Sequence, residues 1–249
     1  MDNHTDILSQ SLVAFSNDGY VHIPNLIDAA LIGQARLAQE RMDAKLEANH
    51  RATHHMHRPK GNDFLDLAPL YSHAGLVAFA DAILGEPCSI SMVEFGVTPP
   101  EDMNSRGPGD PHTFGYFYLG NMGAHRDGGW IEEDLCVEHP PMLTFKAAIW
   151  LDDVPAEGGN LLLYPGTHRM SPQAIRRLDL EVAPQHAVVA RAGDVTLFDR
   201  RLLHSRTWNR GTATRLVMFV EFSVPWIRRK QDWQLPPECC QLSIARLIC

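Results

Sequence analysis

The ten residues from Met142 to Leu151, MLTFKAAIWL, alternate between two kinds of side chain. Successive side chains of a β-strand point to opposite faces, so this alternation predicts a strand with two different surroundings. One face is apolar and carries Leu143, Phe145, Ala147, Ile149 and Leu151. The other face carries Met142, Thr144, Lys146, Ala148 and Trp150. We predict that the first face packs against a core and that the second lines a polar pocket.

Further strand-like runs follow one another after residue 88, and turns rich in glycine and proline separate them. That pattern predicts an antiparallel sandwich or barrel. The section before residue 88 shows a short strand-like run over Tyr20–Ile23 and then helical spacing of apolar residues, with Asp28 placed to cap one helix and Gly85 to end another. We therefore predict a mainly β fold with flanking helices, in one domain over residues 1–249. Its parts are helices over about 1–87, a β core over about 88–226 and a tail over 227–249.

The bulk composition argues against several classes of protein. A formal net charge of −8 disfavours a general nucleic-acid binder, and the lack of an 18-residue apolar run predicts that no segment spans a membrane. The first ten residues lack the basic and apolar regions of a signal peptide. Five cysteines occur without a C-x-x-C pair, which argues against a disulfide framework and a thiolate zinc site. We expect a reduced, cytoplasmic setting.

The motif AHRDGGW places His125 and Asp127 two residues apart, so both side chains can reach one ion from an extended segment. Two histidines and one carboxylate on one face of a ferrous ion leave open positions for oxygen and a cosubstrate. His204, at the end of a later predicted strand, is the natural third ligand. On these residues alone, an ordinary turn with polar surface residues remains the alternative.

Arg215 lies near the start of the strand that follows His204. A guanidinium binds a carboxylate through two parallel hydrogen bonds. A dicarboxylate that chelates iron at one end needs such a cation at its far end, and Arg215 fits that role. The alternative is a surface arginine at the start of a strand.

A second group of histidines, His50, His54, His55 and His57, lies in the polar segment NHRATHHMHRPKGND. Four histidines suggest a metal site. No carboxylate or cysteine lies among them at convincing ligand spacing, so a mobile surface loop is the favoured interpretation.

Together these residues resemble the phytanoyl-CoA dioxygenase family of iron(II)- and 2-oxoglutarate-dependent oxygenases. FSNDGYVHIPNLID is similar to the family's N-terminal segment, and AHRDGGW matches its H-x-D motif. WLDDVPAEGGNLLLYPGTHRMS is similar to its acidic pair, glycine turn, strand and PGTH sequence. AGDVTLFDRRLLHSRTWNRGTATR resembles its distal block of histidine, asparagine and arginine, here His204, Asn209 and Arg215.

The resemblance implies a double-stranded β-helix, the cupin-like jelly roll, wrapped by N-terminal helices. It implies that His125, Asp127 and His204 hold the iron and form the catalytic centre. It also implies that Arg215 pairs with 2-oxoglutarate and that Tyr118 makes a polar contact to that cosubstrate. Thr144, on the pocket-side face, is a further predicted cosubstrate contact.

The implied activity uses Fe(II), 2-oxoglutarate and O2 to oxidise an unactivated C–H bond of a small organic substrate, most often by hydroxylation. Succinate and CO2 are released. The family's halogenases replace the carboxylate ligand with a small residue, so Asp127 argues against halogenation. Desaturation, epimerisation and ring formation remain open. So do two other classes, a jelly-roll binding protein without catalysis and a zinc hydrolase using the same three ligands.

Lys146, Trp150 and Arg206 are the predicted substrate contacts. The arginines near His204, at positions 200, 201, 206 and 210, favour an anionic or carrier-linked substrate, and solvated surface charges are the alternative. Fold-level analogy suggests a role in secondary metabolism. We expect a monomer or homodimer with neither a nucleic-acid nor a membrane partner.

Overall fold

The computed structural model describes residues 3–51, 54–101, 124–127, 141–227, 233 and 245–248. The helices in these ranges are α1 (Asn3–Asp18), α2 (Ala29–Asp43), α3 (Ala48–Arg51), α4 (Asn62–Leu65), α5 (Ala68–Tyr71), α6 (Ala74–Leu84), α7 (Pro172–Arg176) and α8 (Ala245–Ile248). The strands are β1 (Tyr20–Ile23), β2 (His55–His57), β3 (Ser89–Thr98), β4 (Thr144–Trp150), β5 (Leu161–Leu163), β6 (His186–Ala187), β7 (Val195–Asp199), β8 (His204–Arg206) and β9 (Arg215–Ser223).

These strands form two antiparallel sheets. The larger has the order β1–β7–β4–β9–β3–β2, and the smaller has the order β6–β5–β8. An isolated antiparallel bridge between His125 and His204 places the segment 124–127 beside β8. The predicted antiparallel architecture is confirmed, because the described strand pairs of both sheets are all antiparallel.

Each face of the large sheet packs against a different layer. Residues Phe145, Ala147, Ile149 and Leu151 belong to the main core, which also includes buried side chains of α2, α5 and α6. Ala148 and Trp150 belong to a second cluster with Leu161, Leu163 and Leu202, which lies between the two sheets. The alternation in the sequence of β4 therefore separates the helix-covered outer face, as predicted, from the interior of the β-sandwich. On the interior face, Ala148 and Trp150 lie in an apolar cluster instead of lining the predicted polar pocket.

The helical layer follows the predicted capping signals. The Asp28 carboxylate accepts hydrogen bonds from the backbone N–H groups of Ala30 and Leu31 at 2.9 and 3.0 Å, which satisfies donors at the start of α2. Gly85 ends α6 in a left-handed conformation, φ 74°. None of the helices in the described ranges has the length and hydropathy that crossing a bilayer requires.

Two short strands from the N-terminal region extend the large sheet. The first, β1, confirms the strand-like run predicted over Tyr20–Ile23, whereas β2 lies where the sequence suggested a loop. β1 pairs with β7, and β2 pairs with β3 at the opposite edge. The segment with the histidines was favoured as a mobile surface loop, and for positions 55–57 that interpretation is wrong. Met56 pairs with Gly96 within this edge strand. A three-residue strand is too short to show a clear alternation in sequence.

Candidate metal centre

His125, Asp127 and His204, called here the inner triad, converge although they come from distant parts of the chain. One ligand atom from each lies within 4.8 Å of the others. Nε2 of His125 is 3.6 Å from Oδ1 of Asp127, and Nε2 of His204 is 3.6 Å from Oδ2. Ligands about 2.1 Å from one ion are separated by roughly 3 Å or slightly more. The predicted convergence of these three side chains is therefore present.

Backbone hydrogen bonds fix the two halves of the inner triad against each other. The N–H of His125 donates to the carbonyl of His204 at 2.8 Å, and the N–H of His204 donates to the carbonyl of His125 at 2.9 Å. The N–H of Asp127 donates to the carbonyl of Arg200 at 2.8 Å. The imidazoles consequently lie close together, with ring centroids 4.4 Å apart.

The surroundings of His204 leave one ring nitrogen available as a ligand. Its Nδ1 lies 2.9 Å from the carbonyl oxygen of Leu202, and only a protonated Nδ1 can donate to that carbonyl. Nε2 then carries the lone pair that a metal requires. Burial, reinforced by the neighbouring His125, lowers the pKa of His204 to about 4. The neutral ring is therefore the form present near neutral pH, and a metal does not have to displace a proton from it.

Lys146 on β4 provides the charge partner of Asp127. Its Nζ is 3.0 Å from Oδ2 of Asp127 and 3.7 Å from Oε1 of Glu94. Burial opposes ionisation of Asp127, but the charge of Lys146 and the interactions with the two imidazoles outweigh it and hold the pKa of Asp127 well below its ordinary value. Burial likewise disfavours the charged lysine, yet the carboxylates of Asp127, Glu94 and Glu221 raise the pKa of Lys146. The lysine stays cationic and the aspartate stays anionic.

Two further carboxylates in this network were missed by the sequence reasoning. Glu94 lies on β3 and contacts Nε of Arg58 at 3.2 Å. Glu221 lies on β9, is fully buried, and accepts a hydrogen bond from Ser91 at 2.6 Å. The available signal was a single charged residue within an otherwise apolar strand, in SMVEFGV and in MFVEFSV. Three formal carboxylate charges against the cations of Lys146 and Arg58 leave a net negative charge, which favours a bound cation at this position.

Arg215 is buried on β9, facing the interior of the sandwich. Its Nη1 donates to the carbonyl of Gly159 at 2.8 Å, and its Nε has no hydrogen-bond partner among the described residues. Burial, together with the charge of nearby Arg206, lowers the pKa of Arg215 to about 9, which leaves it protonated at neutral pH. A Cβ on Gly96 would lie 3.3 Å from Nη2 of Arg215, so glycine provides space for the guanidinium. A buried cation with an unpaired donor suits an anionic ligand.

The register of β4 and β9 places Thr144 far from Arg215. Thr144 pairs with Ser223, Lys146 with Glu221, and Arg215 is the first residue of β9. The eight steps from residue 215 to residue 223 correspond to roughly 26 Å along a strand. One small dicarboxylate cannot reach both ends, so Thr144 is unsuitable as a second contact to a molecule held by Arg215. Instead, its hydroxyl and that of Ser223 are buried without a described hydrogen-bond partner at the opposite end.

The other predicted substrate contacts have protein partners. Trp150 is fully buried in the cluster between the sheets, and its Nε1 donates to Oγ1 of Thr196 at 2.9 Å. Arg206 forms two hydrogen bonds with the Glu101 carboxylate, at 2.7 and 2.8 Å. Tyr118 lies outside the described residues.

The remaining arginines near His204 are also engaged. Arg201 forms an ion pair with Asp199 at 2.6 Å, and the exposed Arg210 contacts Glu157 at 3.1 Å. Nη1 of the buried Arg200 is 3.3 Å from the carbonyl oxygen of Asp127. These arginines therefore interact with other groups of the protein, which weakens the argument for an anionic substrate.

A family model described as phytanoyl-CoA dioxygenase (PhyH) matches residues 15–217. The chain belongs to the phytanoyl-CoA dioxygenase family. Membership confirms the prediction made from the four motifs and makes the chain an enzyme of the iron- and 2-oxoglutarate-dependent oxygenase type. A search of curated protein sequences gives no significant match.

Solved structures of PhyH-like enzymes share the fold. The epimerase SnoN from nogalamycin biosynthesis, in complex with Fe3+, alpha ketoglutarate and nogalamycin RO, has a TM-score of 0.65 at 20% identity over 89% of this chain and 85% of its own. The carbocyclase SnoK from the same biosynthesis has a TM-score of 0.67 at 20% identity over 97% and 93%. HygX from Streptomyces hygroscopicus, with nickel and 2-oxoglutarate bound, has a TM-score of 0.67 at 16% identity over 89% of each chain. These similarities confirm the double-stranded β-helix fold.

Proposed function

We propose that this PhyH-family chain is a dioxygenase that uses Fe(II), 2-oxoglutarate and O2 to hydroxylate an unactivated C–H bond of a small organic substrate. The observation that carries the proposal is the convergence of two imidazoles and one carboxylate within 4.8 Å inside a jelly roll. Two histidines and one carboxylate are the ligand set of non-haem Fe(II) oxygenases. We further propose a cytoplasmic location and a role in secondary metabolism.

In this proposal His125, Asp127 and His204 hold the iron. The donor set fits a divalent cation because the neutral His204 ring offers Nε2, while Lys146 is positioned to keep one carboxylate oxygen of Asp127 in place. Asp127, Glu94 and Glu221 carry three formal negative charges against the positive charges of Lys146 and Arg58, so the net negative charge of this group favours a bound cation. Bound iron supplies the oxidising chemistry by activating O2 with electrons from 2-oxoglutarate and the substrate.

Arg215 is proposed to bind the far carboxylate of 2-oxoglutarate. Along the interior face of the large sheet, the small residues Ala148 and Gly96 lie between Arg215 and Lys146. Both are next to Phe219. Small side chains leave space there for a flat molecule. The guanidinium orients the cosubstrate, and its unpaired Nε donor gains the partner that it lacks in the protein alone.

The substrate is proposed to occupy the other side of the inner triad, where Thr144 and Ser223 lie. Their hydroxyls are buried and have no described hydrogen-bond partner, which favours a ligand with a polar group. Both hydroxyls are neutral, so this end provides no obvious binding site for a strongly charged carrier. A small, neutral, oxygen-containing substrate therefore fits better than the anionic one that the arginines suggested.

Epimerisation or ring closure is a second candidate outcome of the same chemistry, and two solved structures with this fold favour it. SnoN and SnoK, which share this fold, are described as an epimerase and a carbocyclase. All of these outcomes release succinate and differ in the fate of the substrate radical. Epimerisation also needs two electrons from an external reductant, because the substrate itself is not oxidised. Epimerisation or ring closure adds no oxygen atom to the substrate, whereas hydroxylation adds one.

The test is an assay of succinate release with Fe(II) and 2-oxoglutarate across a panel of small neutral and anionic compounds, followed by mass spectrometry of the products. We expect substrate-stimulated succinate release and a product one oxygen atom heavier. A product of unchanged mass indicates epimerisation, and loss of two hydrogens indicates desaturation or ring closure. Iron-loaded, folded protein that releases no succinate with any substrate, and shows no slow substrate-independent turnover, would contradict an oxygenase.

A further inference from the structure

A second group of ligating side chains lies outside the inner triad, at the free edge of the large sheet. It consists of Asp43, His55 and His57, called here the edge cluster, and their ligand atoms all lie within 4.8 Å of one another. Nε2 of His55 is 3.2 Å from Oδ1 of Asp43, and Nε2 of His57 contacts the same oxygen. Both imidazoles therefore aim the same ring nitrogen at one point.

The backbone explains why these three residues meet. His55 and His57 occupy alternate positions of β2, so their side chains leave the same face of the strand. Asp43 is the last residue of α2, whose end lies against that face. The intervening Met56 and the preceding His54 belong to the opposite face, and the His54 ring instead contacts Thr98 at 3.0 Å. Among the segment's histidines whose side chains the structure describes, His55 and His57 thus join the cluster and His54 does not.

We propose that the edge cluster binds a divalent transition-metal ion of the zinc class. Two imidazoles and a carboxylate are typical zinc ligands, and the 3.2 Å separation is close to the roughly 3.3 Å between tetrahedral ligands of one ion. The side chains of Asp43, His55 and His57 are 25%, 12% and 10% exposed, so water can complete the coordination. Gln39, buried on α2, hydrogen-bonds Asp43 and orients the carboxylate.

Without an ion, one carboxylate oxygen must accept hydrogen bonds from two crowded rings whose centroids are 4.8 Å apart. A metal ion between the three groups would use both nitrogen lone pairs and the carboxylate charge together. It would also join α2 to β2, which pairs with β3, the strand of Glu94. The expected role is therefore structural, and the proposal is independent of the oxygenase chemistry at the inner triad.

The experiment measures bound zinc in tag-free, chelator-stripped protein after equilibration with Zn(II) and removal of excess metal, using inductively coupled plasma mass spectrometry. We expect two zinc ions per chain in the unchanged protein, because the inner triad also takes zinc in the absence of iron. Removal of the inner ligands in His125→Ala/His204→Ala should leave one. Adding His57→Ala to that variant should leave none.

The matched control is His54→Ala, which removes a neighbouring histidine that lies outside the cluster and should keep both ions. Asp43→Asn preserves the shape of the side chain but removes its charge, and it should weaken zinc binding at the edge at least tenfold in a competition titration with a chromophoric chelator. Circular dichroism establishes that each variant is folded. Zinc should raise the melting temperature of the inner-ligand double variant but not that of the triple variant.

Two results would overturn the proposal. One is a folded inner-ligand double variant that retains no zinc at micromolar free metal, which would leave the edge cluster as a hydrogen-bonded group only. The other is retention of that zinc after His57→Ala, which would place the ion elsewhere. In the unchanged background, loss of one ion from two in His57→Ala supports the proposal even if the multiple variants fail to fold.

Discussion

The inner triad and the edge cluster contain the same residue types, two histidines and one aspartate, but their surroundings differ. Asp127 lies in the interior beside Lys146, with Glu94 and Glu221 close to the lysine. Asp43 lies at the free edge of the large sheet, is 25% exposed, and has Gln39 as an additional hydrogen-bond partner. The donor set alone therefore predicts metal binding, and the environment decides what the metal can be used for.

The inner triad has three features that an oxygenase requires and that the edge cluster lacks among the described residues. It faces the interior of the jelly roll, it has a buried arginine on a neighbouring strand, and it has unpaired hydroxyls on its other side. The edge cluster instead connects a helix end to an edge strand. This contrast supports the proposal that the inner triad is the catalytic centre and that the edge cluster has a structural role.

The largest expected difference between the two groups comes from removing one ligand. His204→Ala should lower substrate-dependent succinate release by more than about 100-fold, because loss of even a residue that supports a metal ligand costs 10- to 100-fold. The exposed His186, changed to alanine, is the matched control and should retain full activity. Substantial turnover by iron-loaded His204→Ala would remove the inner triad from the reaction.

Arg215 gives the next largest expected effect. A buried cation near the metal ligands distinguishes a site that also binds 2-oxoglutarate from a site that binds a metal ion alone. Arg215→Ala should weaken 2-oxoglutarate binding by about 2–5 kcal/mol, because the far carboxylate is left buried and unpaired. The KM for 2-oxoglutarate should rise accordingly, while iron content stays constant. Arg210→Ala removes an exposed ion pair in the preceding loop and should change neither value. An unchanged KM in Arg215→Ala would show that another residue binds the cosubstrate.

Lys146 tests the charge balance that distinguishes the interior from the edge. Lys146→Met removes the cation that Asp127 and Glu221 face and one of the two that Glu94 faces, and should lower the free energy of unfolding of the metal-free protein by about 3–5 kcal/mol. Bound metal should restore part of that loss, because it neutralises the same carboxylates. Urea denaturation with and without Zn(II) measures both values. Equal losses in the two conditions would contradict the charge balance.

How much of this site the sequence predicts depends on how its parts are encoded. The H-x-D pair, the distal His204 and Arg215 form short motifs in a fixed order, so they could be found before the fold was known. The strand of Lys146 was also recognisable from its alternation. The assignment of Lys146 to a partnership with Asp127, rather than to substrate, depends on a distance across the sandwich that no local pattern contains.

The edge cluster shows where sequence reasoning fails. Its histidines were visible, but the carboxylate comes from a different element, the end of α2, twelve residues before His55. A search within the histidine-rich segment could not find it. Strand β2 was hard to place for a related reason, since an edge strand of three residues gains its stability from pairing with β3. The run of β1, by contrast, was recognisable from the sequence. Arg206 was expected to contact substrate, but it pairs with Glu101, a residue so distant in sequence that no local pattern predicts the contact.

The smallest expected effect concerns His168, a histidine that belongs to neither the inner triad nor the edge cluster. Burial lowers the pKa of His168, whose Nε2 lies 3.1 Å from the carbonyl oxygen of Ser16. As the pH falls through about 6.5, the unfolded chain takes up a proton that the folded chain does not. The stability due to the neutral ring is therefore complete above that pH and declines below it. His168→Gln should reduce the loss of stability between about pH 7.5 and 5.5, measured by urea denaturation, and an unchanged pH dependence would contradict this.

The central claim is that one ferrous ion and one 2-oxoglutarate molecule meet at the inner triad. Anaerobic titration of the metal-free protein with Fe(II) and 2-oxoglutarate, followed by visible absorption spectroscopy, tests it most directly. We predict a weak charge-transfer band that requires both additions, disappears in His204→Ala, and needs more 2-oxoglutarate in Arg215→Ala. Folded protein that binds iron but shows no such band at saturating 2-oxoglutarate would contradict the account.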